Sequence, residues 1–169
     1  MSQMPSNKAL LPDKFSAALQ ICRRARRYMG EIQMDSQQIS NNASSFFMAA
    51  ERCLEKRLLS TGEFHMPIVP AIVCAAFSTE LFLKSILLKE GIAAKGHELL
   101  KLHNKLSESS RNYLAAETSL TEHDLRQNVG SISSTFVDWR YIYEKQYAKV
   151  NSEFLLKYCE ALKKLSSTM

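Results

Sequence analysis

Glycine and proline are scarce in this sequence, five and four among 169 residues. Turn-rich β architectures need more of both, so helices are the expected secondary structure. Cysteine is sparse as well. Cys22, Cys53, Cys74 and Cys159 lie far apart and form no CxxC, unlike the dense frameworks of short secreted domains. Reduced thiols in a cytosol are therefore expected. No Cys or His sits at ligand spacing from another, so no metal site is expected. His97 and His103 are six apart, which places them on different faces of a helix. The sequence also lacks a glycine-rich phosphate loop, GxSxG, HExxH and a calcium loop, so no cofactor is expected.

Long uncharged runs are missing too. The first twenty residues contain Asp13 and Lys14 and no signal-peptide pattern. The most apolar stretch, Met66 to Leu88, holds Glu80 and Lys84 and is interrupted at its start by Pro67 and Pro70. Its longest uncharged run is too short for a membrane-spanning helix, so it reads as a core helix. The expectation is a cytoplasmic protein with no membrane partner.

What is present fits one globular domain. The length suffices for a real core, and 46% hydrophobic with 23% charged residues is ordinary for such a domain. The net charge of +5 is uneven: residues 1–60 carry nine Lys/Arg against five Asp/Glu, a net of +4. Much of that excess is one cluster, Arg23, Arg24, Arg26 and Arg27. On a helix the four span well over 100° of surface, too broad to be entirely buried. Such a basic patch can neutralise phosphates without sequence choice, or form a solvated face, or meet an acidic protein.

Along the chain, residues 1–12 read as a flexible arm and 13–169 as a single helical domain. Helices are predicted from about Pro12 to Met34 and from an Asp35 or Ser36 cap to about Leu59, the latter with Ile39, Phe46, Phe47, Ala50, Cys53 and Leu54 inward. Ser60 to Pro67 is a turn by composition. A helix from about Pro70 to Glu90 follows, ended by Gly91. Another is predicted from His97 to about Leu114. Thr121 with Glu122 and Asp124 starts a further segment, which breaks near Gly130 and resumes through Phe136 to about Val150. The last runs from Ser152 to about Leu165, with Phe154, Leu155, Tyr158, Leu162 and Leu165 at helical spacing. The expected fold is an all-α bundle of five to seven helices.

Three segments can carry chemistry. Glu80 and Lys84 are four apart in the favourable order on a largely apolar helix. Either they form a partly buried polar site, or they are a half-exposed helical ion pair. In Ser134 to Tyr147, helical periodicity gathers Phe136, Trp139, Arg140, Tyr143 and Tyr147 on one face, with Glu144 at its edge. An arginine among aromatics can stack and still offer a planar fork to a carboxylate or phosphate. Glu80 and Glu144 are its expected protein partners, and Tyr141 lies beside it. The alternative is an aromatic stripe in the core with Arg140 anchored by a carboxylate. Finally, His97 at a helix start either caps through its ring or titrates as an acid–base group.

Taken together, Glu80-Leu-Phe-Leu-Lys84, Gly96-His-Glu-Leu-Leu100 and Phe136 through Trp139-Arg-Tyr-Ile-Tyr-Glu144 resemble the HEPN family (higher eukaryotes and prokaryotes nucleotide-binding). The resemblance is clearest over residues 70–160. It implies an all-α bundle that commonly forms a homodimer. It also implies roles in RNA cleavage, RNA or nucleotide binding, toxin–antitoxin pairs and antiviral defence, with an antitoxin or a nucleotidyltransferase-type protein as partner. In the family's nucleases an Arg is followed after four to six residues by a His. Here those positions are Lys145, Gln146 and Tyr147, and no histidine occurs after His123. The acid–base group for attack by a 2′-hydroxyl is thereby missing. The expected function is a non-catalytic binding module for RNA, nucleotide or a protein partner, with Glu80, Lys84, His97, Arg140, Tyr141 and Glu144 as its polar pocket. The alternatives are an atypical metal-independent ribonuclease, with Arg140 as its phosphate-stabilising group and His97 or Tyr143 as proton carrier, and a structural or regulatory subunit.

Overall fold

The computed structural model describes residues 35–145 and 149–169. The predicted arm, the helix from Pro12 to Met34, the arginine cluster 23–27 and Tyr147 lie outside the described residues. The rest is an all-α bundle. In order, its elements are α1 (Ser36–Leu54), a hairpin of β1 (Arg57–Leu58) and β2 (Phe64–His65), α2 (Ile68–Lys89), α3 (Leu99–His103), α4 (Glu108–Thr118), α5 (Glu122–Ser131), α6 (Thr135–Arg140), a 3-10 turn (Ile142–Glu144), and α7 (Ser152–Thr168).

Helix α2 is apolar almost all round and buries residues from Ala71 to Leu87, as a central helix must. By length and composition alone it would pass as a membrane-spanning helix, but two thirds (67%) of its most apolar stretch is buried inside the protein. It packs on α1, α3, α6 and α7. Two serines set its register on α1. Ser78 Oγ donates to the Ala43 carbonyl at 2.7 Å, and Ser85 Oγ to the Ser36 carbonyl at 2.8 Å. Seven residues forward in α1 correspond to seven backward in α2, so the helices are antiparallel. Small residues at the contact, Ala43, Ala50, Ala75 and Ala76, are fully buried and allow close approach. The same Ser78 hydroxyl accepts from the Cys159 thiol of α7 at 3.3 Å. Burial pushes that thiol up to about 11, and it behaves as a small core group.

Local capping decides most boundaries. Asp35 accepts from Gln37 N–H and starts α1. Gly91 has φ +79°, and its N–H bonds to the Leu88 carbonyl while Ile92 N–H bonds to that of Leu87. That paired pattern is a Schellman close of α2. Thr121 caps α5 through Asp124 N–H at 3.1 Å, and Asn151 caps α7 through Phe154 N–H at 3.0 Å.

Four expectations need correction. Helix α1 stops at Leu54, five residues short, because 57–65 forms a small hairpin whose turn uses Gly62 at φ +83°. Its inward face is Ser40, Ala43, Phe47 and Ala50, with Phe46 at the rim. The helix predicted from His97 to Leu114 is two helices. Ser107 caps α4 through Ser110 N–H, while Glu90 accepts from Ser107 N–H and from the Ser107 and Ser110 hydroxyls. The segment predicted to run to Val150 leaves the α-helix at Arg140. Tyr141, Ile142 and Tyr143 are weak helix formers. Tyr143 is 77% exposed, so no packing rescues the helix there.

Candidate functional site

Helix α2 carries one charge into the core. Glu80 is 1% exposed, and its carboxylate faces two cationic or titratable groups. Lys84, one turn on, donates from Nζ to Oε1 at 2.7 Å. His97 Nδ1 lies 3.0 Å from each carboxylate oxygen. A carboxylate can only accept, so Nδ1 bears the proton and Nε2 is left as the ring's other nitrogen. Lys84 and His97 side chains are 18% and 57% exposed, so both reach Glu80 from the wet side. His97 does not cap a helix. Helix α3 begins at Leu99, and its first turn is held instead by Ser133, whose carbonyl accepts from Leu99 N–H and whose hydroxyl accepts from Leu100 N–H.

An aromatic column adjoins this trio. Phe46 meets Phe77 edge-on at 4.7 Å, and Phe77 stacks on Phe136 at 4.9 Å. The His97 ring is 5.8 Å from Phe136, and the Arg140 guanidinium carbon stands 5.0 Å from the same ring centre. Arg140 is also 4.6 Å from the Tyr141 ring. Phe136 thus has His97 and Arg140 as common neighbours.

The expected partners of Arg140 are not its partners. It forms no ion pair with Glu80 or Glu144 among the described residues, and it is exposed. Glu144 is exposed too, on the 3-10 turn. The reading of Arg140 as a carboxylate-anchored core residue is therefore wrong, because Lys84 and His97 already satisfy Glu80. The single aromatic face also fails where the helix ends: Tyr143 points to solvent, with its ring 6.4 Å from Tyr141.

Two features escaped sequence reasoning. Asp138 accepts from Ser134 and pairs with Lys145, and both contacts hold its carboxyl below the usual range. These residues line a cleft of about 230 Å³ with Thr135, Trp139 and Lys149. His103 is fully buried, with its Nδ1 2.9 Å from the Tyr158 hydroxyl. The Leu99, Leu102, Leu106 stripe includes position 103 on its inward side, which was the available signal. Among the described residues no cluster of His, Cys, Asp or Glu is arranged to hold a metal ion. Compared with protein-family models, curated proteins and solved structures, the chain finds no match.

Proposed function

We propose that the protein is a HEPN-like binding module for RNA or a nucleotide, with Arg140 as the principal phosphate-contacting group. The observation that carries this reading is the state of Arg140: exposed, its guanidinium over the rings of Phe136 and Tyr141, and without a carboxylate partner among the described residues. Cation–π contact with the two rings holds the guanidinium while leaving its N–H fork for an incoming phosphate. Tyr141, 39% exposed, and Tyr143 offer aromatic faces on which a base can stack. Lys84 adds positive charge, tempered by Glu80. The arginines at 23–27 would add salt-sensitive affinity. A homodimer, and pairing with an antitoxin or nucleotidyltransferase-type protein in a defence system, belong to this reading through the family resemblance.

The test is RNA binding and cleavage by the purified protein at two salt concentrations, with Arg140→Ala beside it. Salt-sensitive binding without cleavage, weakened roughly tenfold by Arg140→Ala, is the expected result. Unchanged affinity in the variant sinks the proposal.

One observation favours a second reading, an atypical ribonuclease. A carboxylate-held imidazole with its second nitrogen uncommitted has the arrangement of a general base. His97 has that arrangement beside the ring that Arg140 covers. In this reading Arg140 stabilises phosphate charge and His97 moves the proton. RNA cleavage lost in both His97→Ala and Arg140→Ala, with the fold intact, would establish it over the binding module.

A further inference from the structure

His103 closes α3 and is fully buried. Its Nδ1 is engaged by Tyr158, but its Nε2, also buried, has no hydrogen-bond partner among the described residues. A buried polar atom without a partner is costly and uncommon, so its surroundings matter. His103 lines a cleft of about 310 Å³ with Asn104, Arg111, Glu122 and Arg126. Arg111 of α4 donates from Nε to Glu122 at 2.8 Å and from Nη1 to the Leu106 carbonyl. Arg126 of α5 is exposed and makes no ion pair among the described residues. Two guanidinium groups against one carboxylate leave the cleft net positive.

The charge states follow from the same neighbours. Burial first, then Arg111 and Arg126 against the opposing Glu122, push His103 down to about 4, so its ring is neutral at neutral pH. Burial raises the Tyr158 phenol well above its ordinary range, so it keeps its proton. Of the two tautomers open to the His103–Tyr158 pair, the one in which Tyr158 donates to Nδ1 places the ring's proton on Nε2. In that tautomer the residues lining the cleft carry the His103 N–H, two guanidiniums and the Asn104 amide as donors. Its one carboxylate is already engaged by Arg111.

We propose that this cleft binds a phosphate group, free or carried by a small organic phosphate, between Arg126 and Arg111 with His103 Nε2–H as the buried donor. Guanidinium forks match phosphate oxygens in pairs, and a phosphate has enough oxygens to meet donors from several sides. The volume leaves room for an appended group. No residue of the cleft belongs to the Glu80, Lys84, His97 and Arg140 site, so this inference stands or falls independently of the RNA-binding reading.

The experiment follows the His103 ring nitrogens by NMR in the full-length, nitrogen-labelled protein at neutral pH. Sodium phosphate replaces sodium chloride at constant ionic strength, and a nucleoside monophosphate is titrated separately. The expected result is a saturable shift at His103 Nε2 whose affinity falls roughly tenfold or more in Arg126→Ala. Arg126 is exposed, so that variant keeps its fold. Tighter binding of the nucleoside monophosphate identifies an organic phosphate as the source, tighter binding of inorganic phosphate a free anion, and either supports the site. Absence of a His103 shift at tens of millimolar phosphate, or a shift that Arg126→Ala leaves unchanged, overturns the proposal.

Discussion

His97 and His103 stand six residues apart, and the protein treats them in opposite ways. His97 is half exposed and leans on a buried, charged partner. His103 is fully buried and leans on a phenol. The contrast shows where this core admits charge. Glu80 is tolerated at 1% exposure because Lys84, 18% exposed, supplies a counter-charge and His97, 57% exposed, a further hydrogen bond, both from the solvent side. Around His103, on the α3, α4, α5 and α7 side, no carboxylate among the described residues bonds to the ring, and Tyr158 offers only a neutral hydroxyl. The first region holds a charge in the core, whereas the second holds a neutral ring there and keeps its charges, Arg111, Glu122 and Arg126, along the cleft.

Removing the charge at the first region should have the largest effect on stability. Glu80→Ala leaves Lys84 with no partner on a mostly buried stem and His97 without its anchor. The expected loss is on the order of 3 kcal/mol, read from urea denaturation. A loss below about 1 kcal/mol would mean that Lys84 and His97 simply turn to water, and that Glu80 anchors nothing.

Acid should disturb the second region next. The His103 pKa in the folded protein, about 4, lies below the ordinary 6.5. Between those values the unfolded chain therefore binds more protons than the folded one at this group. Its contribution is fully present above pH 6.5 and is lost as pH falls toward 4. The expected decline is about 2–3 kcal/mol from this group, measured by denaturation across that window. A His103→Asn variant should flatten the decline. An equally steep decline in that variant would assign it to other groups.

How much of this was legible in the sequence depends on the range of the physics involved. Asp35, Gly91 and Thr121 announce helix ends because capping is local, and the structure places them at those ends. The Glu80–Lys84 pair is legible for the same reason, one helical turn. The α3–α4 break was written in Ser107 and Glu108, but Leu99, Leu102, Leu106 and Leu114 continue an inward pattern across it. The stop at Arg140 was not legible, because aromatic spacing fits a helix whether or not a core lies beneath it. Nor did spacing show the contact of His97 with Glu80, seventeen residues away, which only the family resemblance grouped in one pocket, or of His103 with Tyr158, fifty-five away. Spacing within one helix cannot report which other helix it will face.

Arg140 supplies the smallest expected stability change and the sharpest use of the comparison. It differs from both histidines in lacking a polar partner among the described residues, where its contacts are the rings of Phe136 and Tyr141. Exposed cation–π contacts contribute about 0.5–1 kcal/mol, so Arg140→Ala should cost no more than that in denaturation. If it costs several kcal/mol, Arg140 is a packing residue and the structural-subunit reading gains. A variant that is nearly silent in stability yet loses its RNA or nucleotide affinity separates the two roles. A residue whose removal hardly disturbs the fold but abolishes an interaction is held out for a ligand, whereas Glu80, its neighbour across the Phe136 ring and His97, should show the reverse order of effects.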